Sequence, residues 1–276
     1  MSETPAKPGS DLTTRFAAAV VMIAVACVAI YLGGWAFRLL VAAGAAAMLV
    51  EWGDMHKAPR GWTWLGVALL LVATLLLPEY LFPAAERDPA EIAAELFDPV
   101  WIGFAAIAAA GLAYGVLARR LSLGWGLLYV GLPSFALLVL SWAWFELVFW
   151  LMLVTWATDI FAYFAGRSIG GPKLAPRISP NKTWAGLIGG MAGAEAVGAL
   201  AGWLLGVGAP FLYLGGVLGL LAQLGDLYES AVKRRHGVKD SSSLIPGHGG
   251  VLDRLDGLLP VIVAALLLLI FTLGTA

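Results

Sequence analysis

The sequence predicts an all-α membrane protein: one polytopic helical bundle spanning residues 1–276, with about nine transmembrane helices and its N-terminus in the cytoplasm. Three observations lead there. Apolar residues make up 61% of the chain against 13% charged, with a mean hydropathy of +0.86, well beyond a water-soluble domain. Apolar runs of the roughly 17–25 residues needed to cross a bilayer as a helix recur along the whole length. Lysine and arginine gather on alternate connections between those runs.

The runs fall near 16–33, 35–50, 62–82, 100–118, 122–140, 145–165, 183–206, 209–224 and 257–273. The leading MSETPAKPGSDLTTR contains acids and is followed by no small-residue cleavage site, so the first helix is expected to be retained. The first two runs meet at Gly33-Gly34 and leave Arg38 near a membrane surface, where its long side chain can snorkel. The lone Cys27 gives neither a disulfide nor a thiolate metal site within one chain, and reads as a small buried apolar residue. Between the third and fourth runs lies an acidic connection with Glu86, Asp88, Glu91, Glu95 and Asp98. Its Asp88-Pro89-Ala90-Glu91 has the form of a short helix start. The fifth and sixth runs are separated only by Ser141 to Trp144. Residues 1–120 add little beyond hydrophobicity, whereas residues 121–276 carry the polar loops.

Orientation follows from the cations. With the N-terminus inside, Lys7, Arg15, Lys57, Arg60, Arg119, Arg120, Arg167, Lys173, Arg177, Lys182, Lys233, Arg234, Arg235, Lys239 and Arg254 are all cytoplasmic, leaving only Arg38 and Arg87 of the 17 outside. Gaining or losing one internal span would break that alternation.

Two acids lie within apolar runs. Asp159, flanked by Trp156, Phe161, Tyr163 and Phe164, must face the bundle interior or a polar cavity, either as a helix-to-helix hydrogen bond or as part of a site. Glu195, among glycine and alanine, reads as structural. The connection GRSIGGPKLAPRISPNKTWAG holds Arg167, Lys173, Arg177, Ser179, Lys182 and Thr183, and Ser179-Pro180 has the form of an N-cap and first-turn proline for the seventh helix. Glycines then recur every fourth residue, as in Gly186 and Gly190, Gly189 and Gly193, or Gly215 and Gly219, which lets helices approach closely within the protomer or across a homodimer.

The most polar segment runs from Asp226 to Asp256, between the eighth and ninth runs. On a helix continuing past Leu224, Asp226, Ser230, Lys233 and Arg234 share one face. Beyond Gly237 the chain becomes turn-like, and a second helix is expected near Val251 with Asp253 and Asp256 spaced i, i+3. Carboxylates at two helix ends, joined by a cationic loop, suit a metal ion and a phosphate together, because Mg²⁺ commonly takes one or two carboxylates plus phosphate oxygens. The chain carries no G-x4-G-K-[ST], H-E-x-x-H, C-x-x-C or G-x-G-x-x-G pattern, so a nucleotide would be held by helix ends and loops.

The ordered series Ser230-x-Val232-Lys233-Arg234-x4-Lys239-Asp240-x-Ser242-x2-Ile245-Pro246-x-His248-Gly249-Gly250-Val251-x-Asp253-Arg254-Leu255-Asp256 resembles the signature of the phosphatidate cytidylyltransferase (CDP-diacylglycerol synthase) family. Ser179-Pro180-Asn181-Lys182-Thr183 resembles a second element of that family, and the likeness covers roughly Asp159 to Asp256. The resemblance implies the substrates CTP and phosphatidate, surrounding membrane lipids, Mg²⁺ alone or with a second metal ion, no nucleic-acid partner, and an active site on the cytoplasmic face of the inner membrane. On that basis Asp226 and Asp253 are the expected metal ligands with Asp256 assisting. Lys233, Arg234, Lys239 and Arg254 are expected to hold phosphates, with Ser230 orienting an oxygen. Ser179, Lys182, Thr183, Asp159 and His248 are the expected substrate contacts, although His248 suits a hinge beside Gly249 and Gly250 equally well. A CTP-dependent lipid kinase and a transporter are the alternative readings; charge collected in a loop rather than at mid-membrane counts against the transporter.

Overall fold

The computed structural model describes residues 8–82, 97–245, 247 and 249–273. The expected helix start at Asp88 and the candidate His248 lie outside these residues. In chain order the helices are α1 (Pro8–Leu32), α2 (Gly34–Met55), α3 (Arg60–Leu71), a π-helical turn (Val72–Leu76), α4 (Leu77–Leu81), α5 (Phe97–Leu117), α6 (Leu121–Ala143) and α7 (Phe145–Ser168). A β-hairpin of β1 (Lys173–Ala175) and β2 (Ser179–Thr183) follows, then α8 (Trp184–Leu205), a 3₁₀ turn (Phe211–Tyr213), α9 (Gly215–Arg235), α10 (Leu252–Leu255) and α11 (Leu258–Leu273). The protein is an all-α membrane bundle. Six helical stretches, Gly34–Met55, Arg60–Leu81, Phe97–Leu117, Leu121–Ala143, Phe145–Ser168 and Trp184–Leu205, are long and apolar enough to cross a bilayer, and Val20–Leu32 and Leu258–Thr272 are shorter apolar helices.

Local chemistry sets the breaks. Gly33 and Gly34 take left-handed φ of 59° and 48°, a conformation costly for residues with a Cβ, and this separates α1 from α2. The π turn holds Thr74, whose hydroxyl donates back to the carbonyls of Leu70 and Leu71. Arg38 pairs with Glu79 and lies 5.4 Å from the centre of the Trp35 ring, so its charge is met by a partner as well as by a surface position.

The core runs through α6, where Leu127, Val130, Phe135 and Leu140 are each fully enclosed. Close helix approach organises the second half. A Cβ at Gly193 would lie 2.2 Å from the Phe161 ring, and one at Gly215 would lie 2.4 Å from the Ala194 carbonyl oxygen, so α8 seats against α7 and α9 only because those positions are glycine. The four-residue glycine spacing is thus used within the protomer. Glu195 accepts a 2.8 Å hydrogen bond from the Gly216 amide, one of the unpaired N–H groups opening α9, which is the structural role expected of it.

One expectation is corrected. Ser179-Pro180 does not cap a helix: it opens strand β2, with Ala175 paired to Ser179 and Lys173 to Thr183. The cap of α8 is Thr183, whose buried hydroxyl accepts from the Gly186 amide at 3.0 Å. Strand pairing keeps Ser179 and Pro180 away from the helical start, which falls at Thr183 where β2 ends.

Candidate active site

The charged residues of the hairpin, α9 and the α10–α11 turn come together, joined from two further sides by α7 and α2. Helix α9 continues beyond its apolar half to Arg235, and that extension carries the acids and cations singled out above. Asp226 pairs with Lys182 from β2, Oδ2 to Nζ at 2.6 Å, and accepts from Ser230 Oγ at 3.2 Å one turn along. Lys182 Nζ also reaches the Gln223 carbonyl at 3.5 Å, which fixes the hairpin to α9. Asp159 on α7 is within electrostatic reach of Asp226, Lys182 and Arg254.

Asp256 is brought against α9 by backbone contact. A Cβ at Gly225 would lie 2.5 Å from the Asp256 carbonyl oxygen and 2.8 Å from Pro260 Cγ, so the neighbour of Asp226 must be glycine for the α10–α11 turn to seat. Burial above all, and then the charge of Asp226, push the Asp256 carboxyl up to about 7. Gly225→Ala is therefore expected to force the turn away from α9, separate Asp226 from Asp256 and lower turnover by about tenfold or more while the bundle stays folded. Kinetics alongside a thermal-unfolding scan check this, and unchanged turnover would show that the contact does not set the site.

A second group surrounds Lys233. Its Nζ lies 2.5 Å from Glu229 Oε2 and 2.6 Å from Asp253 Oδ1, and the Lys233, Glu229 and Asp253 side chains are 11%, 0% and 3% exposed. The Glu229 contact is one of distance alone, because neither of its oxygens accepts a well-directed hydrogen bond. Burial, then Asp256 and Asp253, push the Glu229 carboxyl far above the ordinary carboxylate range, with Lys233 opposing. For Asp253 burial acts upward as well, but Lys233 and the amides of Gly250 and Ser241 outweigh it and hold its carboxyl below that range. Asp253 Oδ2 accepts from Gly250 N at 2.8 Å and from Ser241 N and Oγ at 2.9 and 3.0 Å.

The face read as one from helical spacing therefore divides. Asp226 and Ser230 turn to Lys182, while Lys233 turns into the protein toward Asp253. Arg234 is exposed and donates to the Val238 carbonyl at 3.1 Å and the Ile178 carbonyl at 3.4 Å. Lys239 and Arg254 are exposed, have no hydrogen-bond or ion-pair partner among the described residues, and line one polar cavity of about 530 Å³ with Ser242 and Ser243. Thr183 is buried, and its hydroxyl accepts at the helix cap. Ser179 is half-buried at the start of β2.

Sequence reasoning passed over Glu51. This residue, near the end of α2 and 3% exposed, accepts four hydrogen bonds from the far end of the chain: Ser242 Oγ at 2.7 Å, Leu252 N at 2.8 Å, Val251 N at 2.9 Å and Ser241 Oγ at 3.0 Å. A carboxylate in an otherwise apolar run is the signal that marked Asp159, and it was there to be read at Glu51 too.

Among the described residues no group of three or more His, Cys, Asp or Glu side chains is placed to enclose a metal ion. The Asp253 oxygens are engaged by Lys233, Ser241 and Gly250, whereas Asp226 pairs with Lys182. Asp226 and Asp256 together still suit Mg²⁺, which needs one or two carboxylates when phosphates bring the other oxygens.

Comparison with known proteins decides what the cluster belongs to. The model of the cytidylyltransferase family matches residues 13–272. This chain belongs to the cytidylyltransferase family. Relatives include the phosphatidate cytidylyltransferase of Brucella abortus, 39% identical over 282 residues that cover 95% of this chain and 93% of that one. Those of Pseudomonas aeruginosa and Bacillus subtilis are 42% and 45% identical over 54% and 41% of this chain, and over 57% and 43% of their own lengths. Cytidylyltransferase membership accounts for why the charges of an otherwise apolar chain converge: a nucleotide triphosphate must be met by cations and acids that lipid-facing helices cannot supply.

Proposed function

We propose that this protein transfers the cytidylyl group of CTP to phosphatidate, giving CDP-diacylglycerol and pyrophosphate. The observation that carries this reading is a near full-length likeness to proteins named phosphatidate cytidylyltransferase, combined with the gathering of Lys182, Asp226, Asp256 and Arg254 around one another. A lipid phosphate oxygen attacks the α-phosphorus of CTP, forming the new O–P bond as the bond from that phosphorus to pyrophosphate breaks. The phosphate nucleophile already carries negative charge at neutral pH, so no protein base is needed. Lys182, Arg254 and Lys239 hold phosphate oxygens as point charges or forks. Asp226 and Asp256 would hold Mg²⁺, and Asp159 borders that pair. The ion supplies neutralisation of the charge that builds on the leaving pyrophosphate. Ser230 orients Asp226, while Lys233 acts as a strut tying α9 to the Asp253 loop.

The cation distribution supports nine spans with the N-terminus and this cluster on the cytoplasmic side, which at an inner membrane is where CTP and Mg²⁺ are found. Purified protein given α-labelled CTP, phosphatidate and Mg²⁺ is expected to place the label in lipid and release pyrophosphate, and EDTA is expected to stop both. Label entering lipid from the γ-position instead would make the protein a lipid kinase and overturn the reading.

A further inference from the structure

The polar cavity lined by Lys239 and Arg254 does not end in polar surface. It shares Ile245 and Arg254 with an apolar cavity of about 480 Å³ enclosed by α1, α2, α6, α7 and α11, where Met22, Phe37, Met48, Leu137, Leu151 and Ile262 form part of the wall. Its size falls in the range of about 300–1,000 Å³ typical of small-molecule sites. One side is thus hydrocarbon and the other carries the unpaired cations Lys239 and Arg254 beside a single acid, Asp240, with Arg254 at the junction. A second apolar cavity, lined by Leu132, Leu224, Tyr228, Pro260 and Val263, has no lysine or arginine in its wall.

We propose that the apolar cavity between α1, α2, α6, α7 and α11 holds the acyl chains of an anionic lipid whose phosphate is held by Arg254 and Lys239. This deepens the function proposed above by locating the lipid on the α2 side of Arg254. The nucleotide is left to the Lys182–Asp226 side. The amphiphile is selected by the junction itself. A free phosphate would gain nothing from the hydrocarbon wall, and an uncharged lipid nothing from the two cations.

Gly44 provides a clean probe, because it lines this cavity on α2 and a Cβ built there meets no atom within 4 Å. Gly44→Phe therefore starts from a position where its Cβ is unobstructed and carries a ring into the cavity, and it replaces a helix-interior glycine with a better helix former. With long-chain phosphatidate its KM is expected to rise roughly tenfold, because the ring takes space that the acyl chain would occupy, a loss of uniform binding rather than of turnover. KM for CTP, and KM for a dihexanoyl phosphatidate, should stay within about twofold of the parent. Equal effects on short and long chains, or no effect in a folded variant, would overturn the assignment. A phosphatidate with a photoreactive diazirine in its acyl tail, irradiated with the unaltered protein, tests the same point without any substitution. Adducts on α1, α2 or α7 support the proposal, and adducts confined to the second apolar cavity, at Leu132, Leu224, Tyr228 or Val263, overturn it. Absence of turnover by the unaltered protein would remove the cytidylyl-transfer reading, while the labelling pattern would still decide where the lipid binds.

Discussion

Asp226→Asn is expected to lower kcat by about 10²- to 10³-fold, the scale on which one lost electrostatic contact to a developing charge is felt, and to leave the protein folded. The substitution is isosteric, and the amide oxygen can still accept from Ser230, so the local hydrogen bond at 3.2 Å survives. What is lost is the charge that Lys182 meets at 2.6 Å and that Asp256 senses across the α9 contact. The Asp226 side chain is 36% exposed, so neutralising it leaves no enclosed charge behind. Turnover measured against Mg²⁺ concentration, with thermal unfolding in parallel, checks this. Near-parental activity in the folded variant would remove Asp226 from the metal site. Asp253→Asn gives the contrast: its partner Lys233 is buried, so stability should fall together with activity, on the order of 3–5 kcal/mol for an ion pair broken inside a protein.

Glu51→Ala is expected to be as damaging although Glu51 need touch neither substrate. It strands two backbone amides and a hydroxyl at once, those of Val251, Leu252 and Ser242, while the Ser241 hydroxyl is left with Asp253 alone. Hydrogen bonds to a charged group are worth about 1.5–3 kcal/mol each, and since the hydroxyls can turn to water a net loss on the order of 3 kcal/mol is expected. Concentrated in one loop, that is about a hundredfold shift in the ordered fraction, and kcat should follow it. Hydrogen exchange should quicken at residues 241–252 while α6 and α7 keep their protection. Parental exchange in that loop would show that Glu51 does not hold it.

Much of this was legible in the chain. The apolar runs coincide with helices because in lipid every backbone polar group must be satisfied internally, and a helix does so within its own segment. The four-residue glycine spacing announced close packing, seen where α8 meets α7 and α9. The polar stretch announced the cluster, including the turn-like passage after Gly237 and the helical turn at Leu252–Leu255. The misreadings share one cause. Ser179-Pro180 has the local form of a helix cap but is claimed by a strand partner, and Lys233 lies two helical turns from Asp226 along one face but is drawn inward by Asp253.

By itself, then, the sequence determined the helices, their lipid-facing character and the stretch that carries the charge, since each depends on residues near one another along the chain. Only the tertiary structure decided which acid meets which cation, that Asp256 rather than Asp253 stands beside Asp226, and that Glu51 reaches across nearly two hundred positions to anchor the loop. A buried charge takes whichever partner packing brings within a few ångströms, and that distance is set by how the helices seat against one another, which no local spacing records.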